Sequence, residues 1–389
     1  MSRKTVILPK GSRVRTGSPW IFSNQIRMDE AAKAIAPGSI VNVRGEDGRS
    51  LGTGYFNPKS LIAVRLLAED CDVLIDEDFF ASRLTRALGL RERLYARPFY
   101  RLLHAEGDGI PGLVIDRFGD TLTVQIGTAG MEKQRGPILA ALDRVLKPAT
   151  VILRADAPSR ALEGLDSYVK TVKGEGHRIA VEENGVRYIA DLHEGQKTGW
   201  YFDQRDNRAF IAPLAKGRTV LDAYSYTGGF GILAAKSGAK EVVCLDSSQA
   251  ALSLAEESAR VNGVAIKPVK ADVFEELGRL AALGESFDIV LADPPPFVKS
   301  KKDLEPGAKA YRKLARLAAS IVAPGGFLML ASCSHNIPAE RFAAECAAGL
   351  HRSGRQAALI RQAGAGPDHP VHPLLPETAY LKALAYALD

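Results

Sequence analysis

The 389-residue chain is 46% hydrophobic and 25% charged, an ordinary globular composition on a length that suits two or three domains better than one core. No run approaches the roughly 20 apolar residues that span a bilayer, and the N-terminus lacks the apolar stretch of a signal peptide. Cys71, Cys244, Cys333 and Cys346 form no C-x-x-C pair, which argues against a disulfide framework and a structural zinc site. The cytoplasm is the expected compartment, and neither a metal nor a membrane is an expected partner.

The net charge of +6 is concentrated at the start: residues 1–70 carry eleven Lys/Arg against six Asp/Glu. A compact basic module is the electrostatic footprint of nucleic-acid binding, although small β-domains are often mildly basic. Val41 and Val43, then Leu51, Thr53 and Tyr55, alternate around the Glu46-Asp47-Gly48 turn, and Leu61–Leu67 reads as another strand. These predict a small β-barrel. Glu69, Asp70 and Asp72 mark a boundary. Asp78 is the expected cap of a helix carrying Phe80, Leu84, Leu88 and Leu94. A hairpin over Leu113–Asp116 and Thr121–Ile126, a helix near 131–146 and a strand at Val151–Arg154 make 71–180 a central α+β domain. Asn184-Gly185, between Val181–Glu183 and Val186–Asp191, is a strong hairpin signal.

From about residue 218 the rhythm changes. Strand Thr219–Ala223, helix Phe230–Ser237, strand Glu241–Asp246, helix Ser248–Val261 and a strand near Ile266–Lys270 succeed one another. Strand Asp288–Asp293, a helix with Tyr311, Leu314, Ala318 and Ile321 on its apolar face, and strand Phe327–Ala331 follow. Such alternation predicts a parallel, doubly wound, Rossmann-like sheet over 181–389. Gln356–Arg361 and Tyr380–Leu388 have no helical pattern between them and are expected to pair antiparallel at its edge.

Doubly wound sheets bind ligands beyond the carboxyl ends of their strands. There, Asp222-Ala-Tyr-Ser-Tyr-Thr-Gly-Gly-Phe-Gly231 offers glycines for close backbone approach. It has neither the G-x-G-x-x-G of a dinucleotide fold nor the Lys-Ser/Thr of a phosphate loop. Asp246, ending the second strand, suits ribose hydroxyls; Asp272, after the third, suits an adenine amino group; Asp222 suits the ammonium of a methionine moiety. Any one of these acids could simply cap the helix after it. Three at successive strand ends suit a cationic sulfonium donor, S-adenosylmethionine, better than an anionic dinucleotide. Tyr224, Ser225, Tyr226, Thr227, Gly228, Ser247 and Val273 complete the expected donor-binding set.

Asp293-Pro-Pro-Pro-Phe297 terminates the fourth strand, and its prolines stiffen a turn that can aim carbonyls and a carboxylate at a planar substrate. Pro294, Pro295 and Phe297 are the expected substrate contacts, Phe297 by stacking. Asp/Asn-Pro-Pro-aromatic is a pattern of methyltransferases acting on nitrogen, so it identifies the class better than the accepting atom. Cys333, in Ser332-Cys-Ser334 after the fifth strand, faces the same cleft. A thiolate adding at carbon 6 of a pyrimidine makes carbon 5 nucleophilic; a free cysteine is otherwise most often a small buried hydrophobe.

With these motifs in place the chain resembles, nearly end to end, the bacterial and archaeal 23S ribosomal RNA large-subunit cytosine-5 methyltransferases that begin with a PUA domain. The resemblance is carried by Ala105–Arg117, Gly195–Arg208, Asp222–Gly231, Asp293–Phe297 and Ser332–Ser334. It implies a PUA-like RNA-binding domain over 1–70, a central domain over 71–180, and a Rossmann-like class I methyltransferase domain over 181–389. S-adenosylmethionine is the implied cofactor and 23S-type ribosomal RNA the implied partner, with room for a homodimer. The resemblance also implies Cys333 as catalytic nucleophile beside Asp293, Gln204 and Asp293 near the donor, and Lys197 and Arg205 bordering the RNA. Pro295 stands where the wider group of 5-methylcytosine RNA enzymes places a second cysteine after the fourth-strand proline, so the group removing the carbon-5 proton is open. Two alternatives remain: a guanine N-methyltransferase on ribosomal RNA, which would not need Cys333, and a non-catalytic RNA-binding or ribosome-assembly factor. Lys299, Lys301 and Lys302 suit phosphates or a solvated loop equally.

Overall fold

The alternating apolar positions of the N-terminal segment form a five-stranded sheet in the spatial order Thr5–Leu8, Ser39–Gly45, Ser50–Phe56, Ile62–Ala68, Trp20–Phe22. One face buries Val6, Ile21, Val41, Val43, Phe56 and Val64 as a small core. The computed structural model describes residues 3–389. Their contacts group into two units: residues up to His177 with Asp191–Trp200 and Pro367–Pro376, and Arg178–Ala190 with Tyr201–Gly366 and Glu377–Asp389.

The first unit holds a second five-stranded sheet, ordered Tyr168–Lys173, Thr150–Ala155, Thr121–Ile126, Leu113–Phe118, Phe99–His104, covered by helices Glu77–Leu94 and Arg135–Leu146. The expected hairpin at 113–126 is its centre, and Phe99–His104 and Tyr168–Lys173 are strands the periodicity had not marked. The long helix is capped by Asp76, whose Oδ1 accepts from the Phe79 N–H at 3.1 Å. Asp78, the expected cap, lies inside the first turn and binds Arg144 instead. Either acid satisfies the sequence rule, and register against the core selects the earlier one. The helix near 131–146 is broken at Gln134 into Ala129–Lys133 and Arg135–Leu146. Within this unit Glu163 accepts from Asn57, Ser60 and Arg65, which ties the two sheets together.

The second unit is the doubly wound domain. Its strands are β1 (Thr219–Ala223), β2 (Glu241–Asp246), β3 (Lys267–Lys270), β4 (Phe287–Ala292), β5 (Val322–Ser332), β6 (Ala357–Ala363) and β7 (Lys382–Leu388). Its helices are α1 (Arg205–Ile211), α2 (Gly229–Lys236), α3 (Gln249–Val261), α4 (Val273–Leu283), α5 (Leu304–Ser320) and α6 (Ala339–Arg352). The sheet order is β3-β2-β1-β4-β5-β7-β6. Strands β1 to β5 run parallel, and β7 is antiparallel to both its neighbours. Alternate strand residues bury against opposite layers. Leu221, Val243, Val290 and Leu328 face α4, α5 and α6; Val220, Val242, Cys244 and Ile289 face the other side with α1 to α3. The order reverses between β1 and β4, so a cleft opens beyond their carboxyl ends. The Asn184-Gly185 hairpin belongs to this unit up to Ala190. Its Tyr188 hydroxyl donates to the Gly229 carbonyl, and its Ile189 N–H donates to Ser258 Oγ on α3.

Candidate active site

Asp222 ends up 2% exposed near the tip of β1, where its Oδ2 accepts from the Gly231 N–H at 2.8 Å. The carboxylate thus spans the glycine-rich turn from start to finish. Burial raises its pKa to about 7; repulsion from Asp293 and Asp246 adds to the rise, while the Gly231 N–H and Arg208 oppose it. Gly231 is required by packing, because a Cβ there would sit 2.7 Å from Cys244 Sγ and 3.2 Å from Asp222 Oδ2. Inside the turn Tyr224 and Tyr226 both adopt the left-handed conformation, with φ of 60° and 48°. Such backbone costs a non-glycine residue roughly 1–3 kcal/mol and gathers at ligand sites.

Asp246 at the tip of β2 holds this turn from the other side. Its Oδ2 accepts from Tyr226 N–H at 2.9 Å and its Oδ1 from Ser248 N–H at 2.8 Å, at the start of α3. Asp272 caps α4, accepting from Glu275 N–H at 3.0 Å, with Val273 buried behind it. Capping leaves each carboxylate oxygen a further lone pair to offer a ligand. Ser247 is exposed beside Asp246.

On the glycine-rich turn and around the start of α1, the buried Ser225 Oγ, Thr227 Oγ1, Gln204 Nε2 and Asn207 Oδ1 have no hydrogen-bond partner among the described residues. Buried polar groups are almost always paired. A donor-and-acceptor set of this kind, lined by acids and by a backbone that admits close approach, fits the amino acid and nucleoside parts of S-adenosylmethionine. Arg205 lies on the same segment, buried and ion-paired with Glu183. Lys197 is exposed and belongs to the first unit, where its φ of 51° marks a tight turn.

On the reaction side, Asp293 N–H donates to the Ala223 carbonyl, which joins the exits of β4 and β1. Pro294 is buried, Pro295 exposed and Phe297 half-buried. The Phe297 ring packs on Tyr311 at 4.7 Å and Phe274 at 5.8 Å, with Tyr224 edge-on at 6.5 Å. Half-buried Cys333 follows β5 with its Sγ 3.8 Å from the Pro294 carbonyl oxygen. The residues beside it are anchored. Ser332 Oγ donates to the Tyr311 hydroxyl at 2.8 Å, and that hydroxyl lies 2.8 Å from Ser334 Oγ. Ser334 Oγ accepts from Val298 N–H at 3.2 Å, and the Ser334 carbonyl accepts from Lys382 Nζ at 2.6 Å. The tip of β5, the proline turn, α5 and β7 thus hold the cysteine jointly.

Two of these partners had no place in the sequence reading. Tyr311 was legible only as an apolar helix position, and Lys382 only as part of an edge strand. The available signal was the pair of serines flanking Cys333, since hydroxyls at a buried strand end need partners. Cys244 and Cys346 are core residues, and Cys71 is half-buried beside Ser50.

Sheet order, acidic strand ends and a proline turn at the switch point define a class I methyltransferase that uses S-adenosylmethionine. Residues 158–386 match the model of the S-adenosylmethionine-dependent methyltransferase family, and residues 9–69 match a PUA-like domain. The chain is 39% identical over 374 residues to ribosomal RNA large subunit methyltransferase I of Aeromonas salmonicida (strain A449), and 37% identical to its namesake from Shewanella denitrificans, with 94% of each chain covered. Among solved structures, a protein named as an S-adenosylmethionine-dependent methyltransferase from Streptococcus mutans superposes with a TM-score of 0.82 at 20% identity, covering 99% of this chain and 100% of that one. A methyltransferase complexed with S-adenosylhomocysteine superposes with 0.84 at 21% identity and the same coverage. At such identities the superpositions speak for the fold. The chain belongs to the S-adenosylmethionine-dependent methyltransferase family, in the group that contains the ribosomal RNA large subunit methyltransferase I proteins.

Proposed function

We propose that this protein methylates carbon 5 of a cytosine in large-subunit ribosomal RNA through a covalent bond between Cys333 and carbon 6. The observation that carries the reading is the position of Cys333: half-buried, anchored on both sides, its sulfur against the carbonyl of Pro294 in the Asp-Pro-Pro turn. The names of the relatives supply the substrate class. A recess of about 380 Å³ lined by Lys309, Arg312, Lys313, Arg316 and Arg352 adds to it: Arg312 is ion-paired with Glu345, and RNA phosphates are a natural complement of the other cations.

Asp222, Asp246, Asp272, Ser225, Thr227 and Gln204 would hold S-adenosylmethionine, whose bound form supplies an electrophilic methyl group. A target cytosine leaves its stack and enters beside Phe297. Asp293 accepts a hydrogen bond from the amino group of the base. The Cys333 thiolate forms a bond to carbon 6, and the displaced π electrons make carbon 5 the nucleophile that would take the methyl, whose bond to the donor sulfur breaks with the electron pair left on that sulfur. Loss of the carbon-5 proton and departure of the thiolate restore the aromatic ring.

Labelled donor and unmodified large-subunit RNA, followed by nucleoside identification, test this scheme. Label is expected in 5-methylcytidine and should vanish with Cys333→Ala, while donor affinity is kept. Label in a methylguanosine that persists in Cys333→Ala would move the reaction to a ring or amino nitrogen, as the Asp-Pro-Pro-Phe pattern also permits.

A further inference from the structure

Lys382 opens the last strand of the sheet, an otherwise apolar segment, and is only 8% exposed. In the β5–β7 ladder its Cα stands opposite Ser332. Its Nζ donates to the carbonyl of Ser334, two residues further on, at 2.6 Å. The side chain therefore runs along residue 333, with its ammonium at the level of the cysteine. Burying an ammonium is costly unless a counter-charge accompanies it. Among the described residues no carboxylate forms an ion pair with Lys382; its hydrogen bond goes to a neutral carbonyl. Burial holds its pKa below the ordinary lysine value, and the Cys333 sulfur is the group that pulls the other way.

We propose that Lys382 is the positioning residue of the nucleophile: its ammonium is the counter-charge of the Cys333 thiolate, and its bond to Ser334 fixes the segment that aims the sulfur. The inference rests on Cys333 being the nucleophile. The other titratable groups facing the cysteine are unsuited to the task. Asp293 is an acid that disfavours a thiolate, and the Tyr201 and Tyr311 hydroxyls are held neutral by burial. The His335 ring lies against Tyr380, centroids 5.1 Å apart and tilted by 33°. In the free enzyme the Cys333 proton leaves to water and Lys382 keeps its own, so the lysine acts by charge and takes no proton.

The test is the pH dependence of Cys333 alkylation by iodoacetamide, read peptide by peptide by mass spectrometry in the full-length protein. An opposite charge within about 4–6 Å shifts a pKa by roughly 1–3 units. Wild-type Cys333 is thus expected to titrate below the ordinary thiol value of about 8.5. Lys382→Met should raise the midpoint by about 1–2 units, making neutral-pH alkylation roughly 10–100-fold slower. Lys382→Arg should stay near wild type. In parallel, kcat of Lys382→Met should fall at neutral pH and recover toward alkaline pH, with donor affinity unchanged. An identical midpoint in wild type and Lys382→Met overturns the proposal. So does a wild-type midpoint at or above that of an ordinary thiol, which needs no variant to fold. If Cys333→Ala remains active, the covalent reading fails instead, and the alkylation profile still reports separately on the lysine–cysteine pair.

Discussion

Asp222 carries a pH signature that can be measured. Its folded-state pKa of about 7 lies above the ordinary 3.8, so between those values the native protein holds a proton that the unfolded chain has released. Stability attributable to this group falls as pH rises through that window and levels off above 7. The shift corresponds to a cost of order 4 kcal/mol at pH 8. Asp222→Asn should recover part of it, about 1–2 kcal/mol at pH 8 and none at pH 4, measured by denaturant unfolding at both values. Binding of a cationic donor needs the charged form. Affinity of the wild type should weaken about tenfold per pH unit below 7, with close to one proton released on binding there, seen by calorimetry in buffers of different ionisation enthalpy. The Asp222→Asn profile should be flat and weak throughout; a sloping one would remove Asp222 from the ammonium site. The acids at the strand ends were visible in the sequence because spacing alone sets them there. That one of them has its pKa raised to about 7 was not, since this comes from burial by the tertiary fold, against the opposing pull of the Gly231 N–H and Arg208.

The turn between β1 and α2 works as one element, with a fold-level and a ligand-level demand on the same residues. Gly231→Ala drives a methyl into Cys244 Sγ on the neighbouring strand. It should destabilise by about 1–3 kcal/mol and weaken donor binding, and the double variant with Cys244→Ala should regain most of the stability in a double-mutant cycle. Additive losses would place the cause elsewhere. Most elements of this unit were legible because β and α periods alternate cleanly from 219 onward, and the antiparallel pair formed by β6 and β7 could be expected from the missing helix between them. Phe99–His104 and Tyr168–Lys173 escaped notice because short strands in a mixed sheet show little alternation. The cap of the first long helix moved from Asp78 to Asp76 because three acids in a row leave the choice to tertiary packing. The serine–tyrosine–lysine anchorage of Cys333 escaped because it joins three elements distant in sequence, whereas a motif joins neighbours.

At the scale of the molecule, charge divides into two basic regions, the N-terminal seventy residues and the recess on α5 and α6. Replacing Lys309, Lys313, Arg316 and Arg352 with Gln should weaken binding of ribosomal RNA fragments and flatten its salt dependence, the log–log slope losing about 0.7–0.9 per phosphate contact removed. Donor affinity should be unaffected, and an unchanged slope would leave the recess a solvated surface. The sheet itself has a temporal consequence. Strand β7 separates β5 from β6, yet it is made after both. A growing chain therefore displays β5 with its neighbouring place open, and the sheet is completed by insertion into its interior. Because Lys382 arrives with that strand, a nascent protein whose donor turn is already formed still lacks the charge beside its thiol.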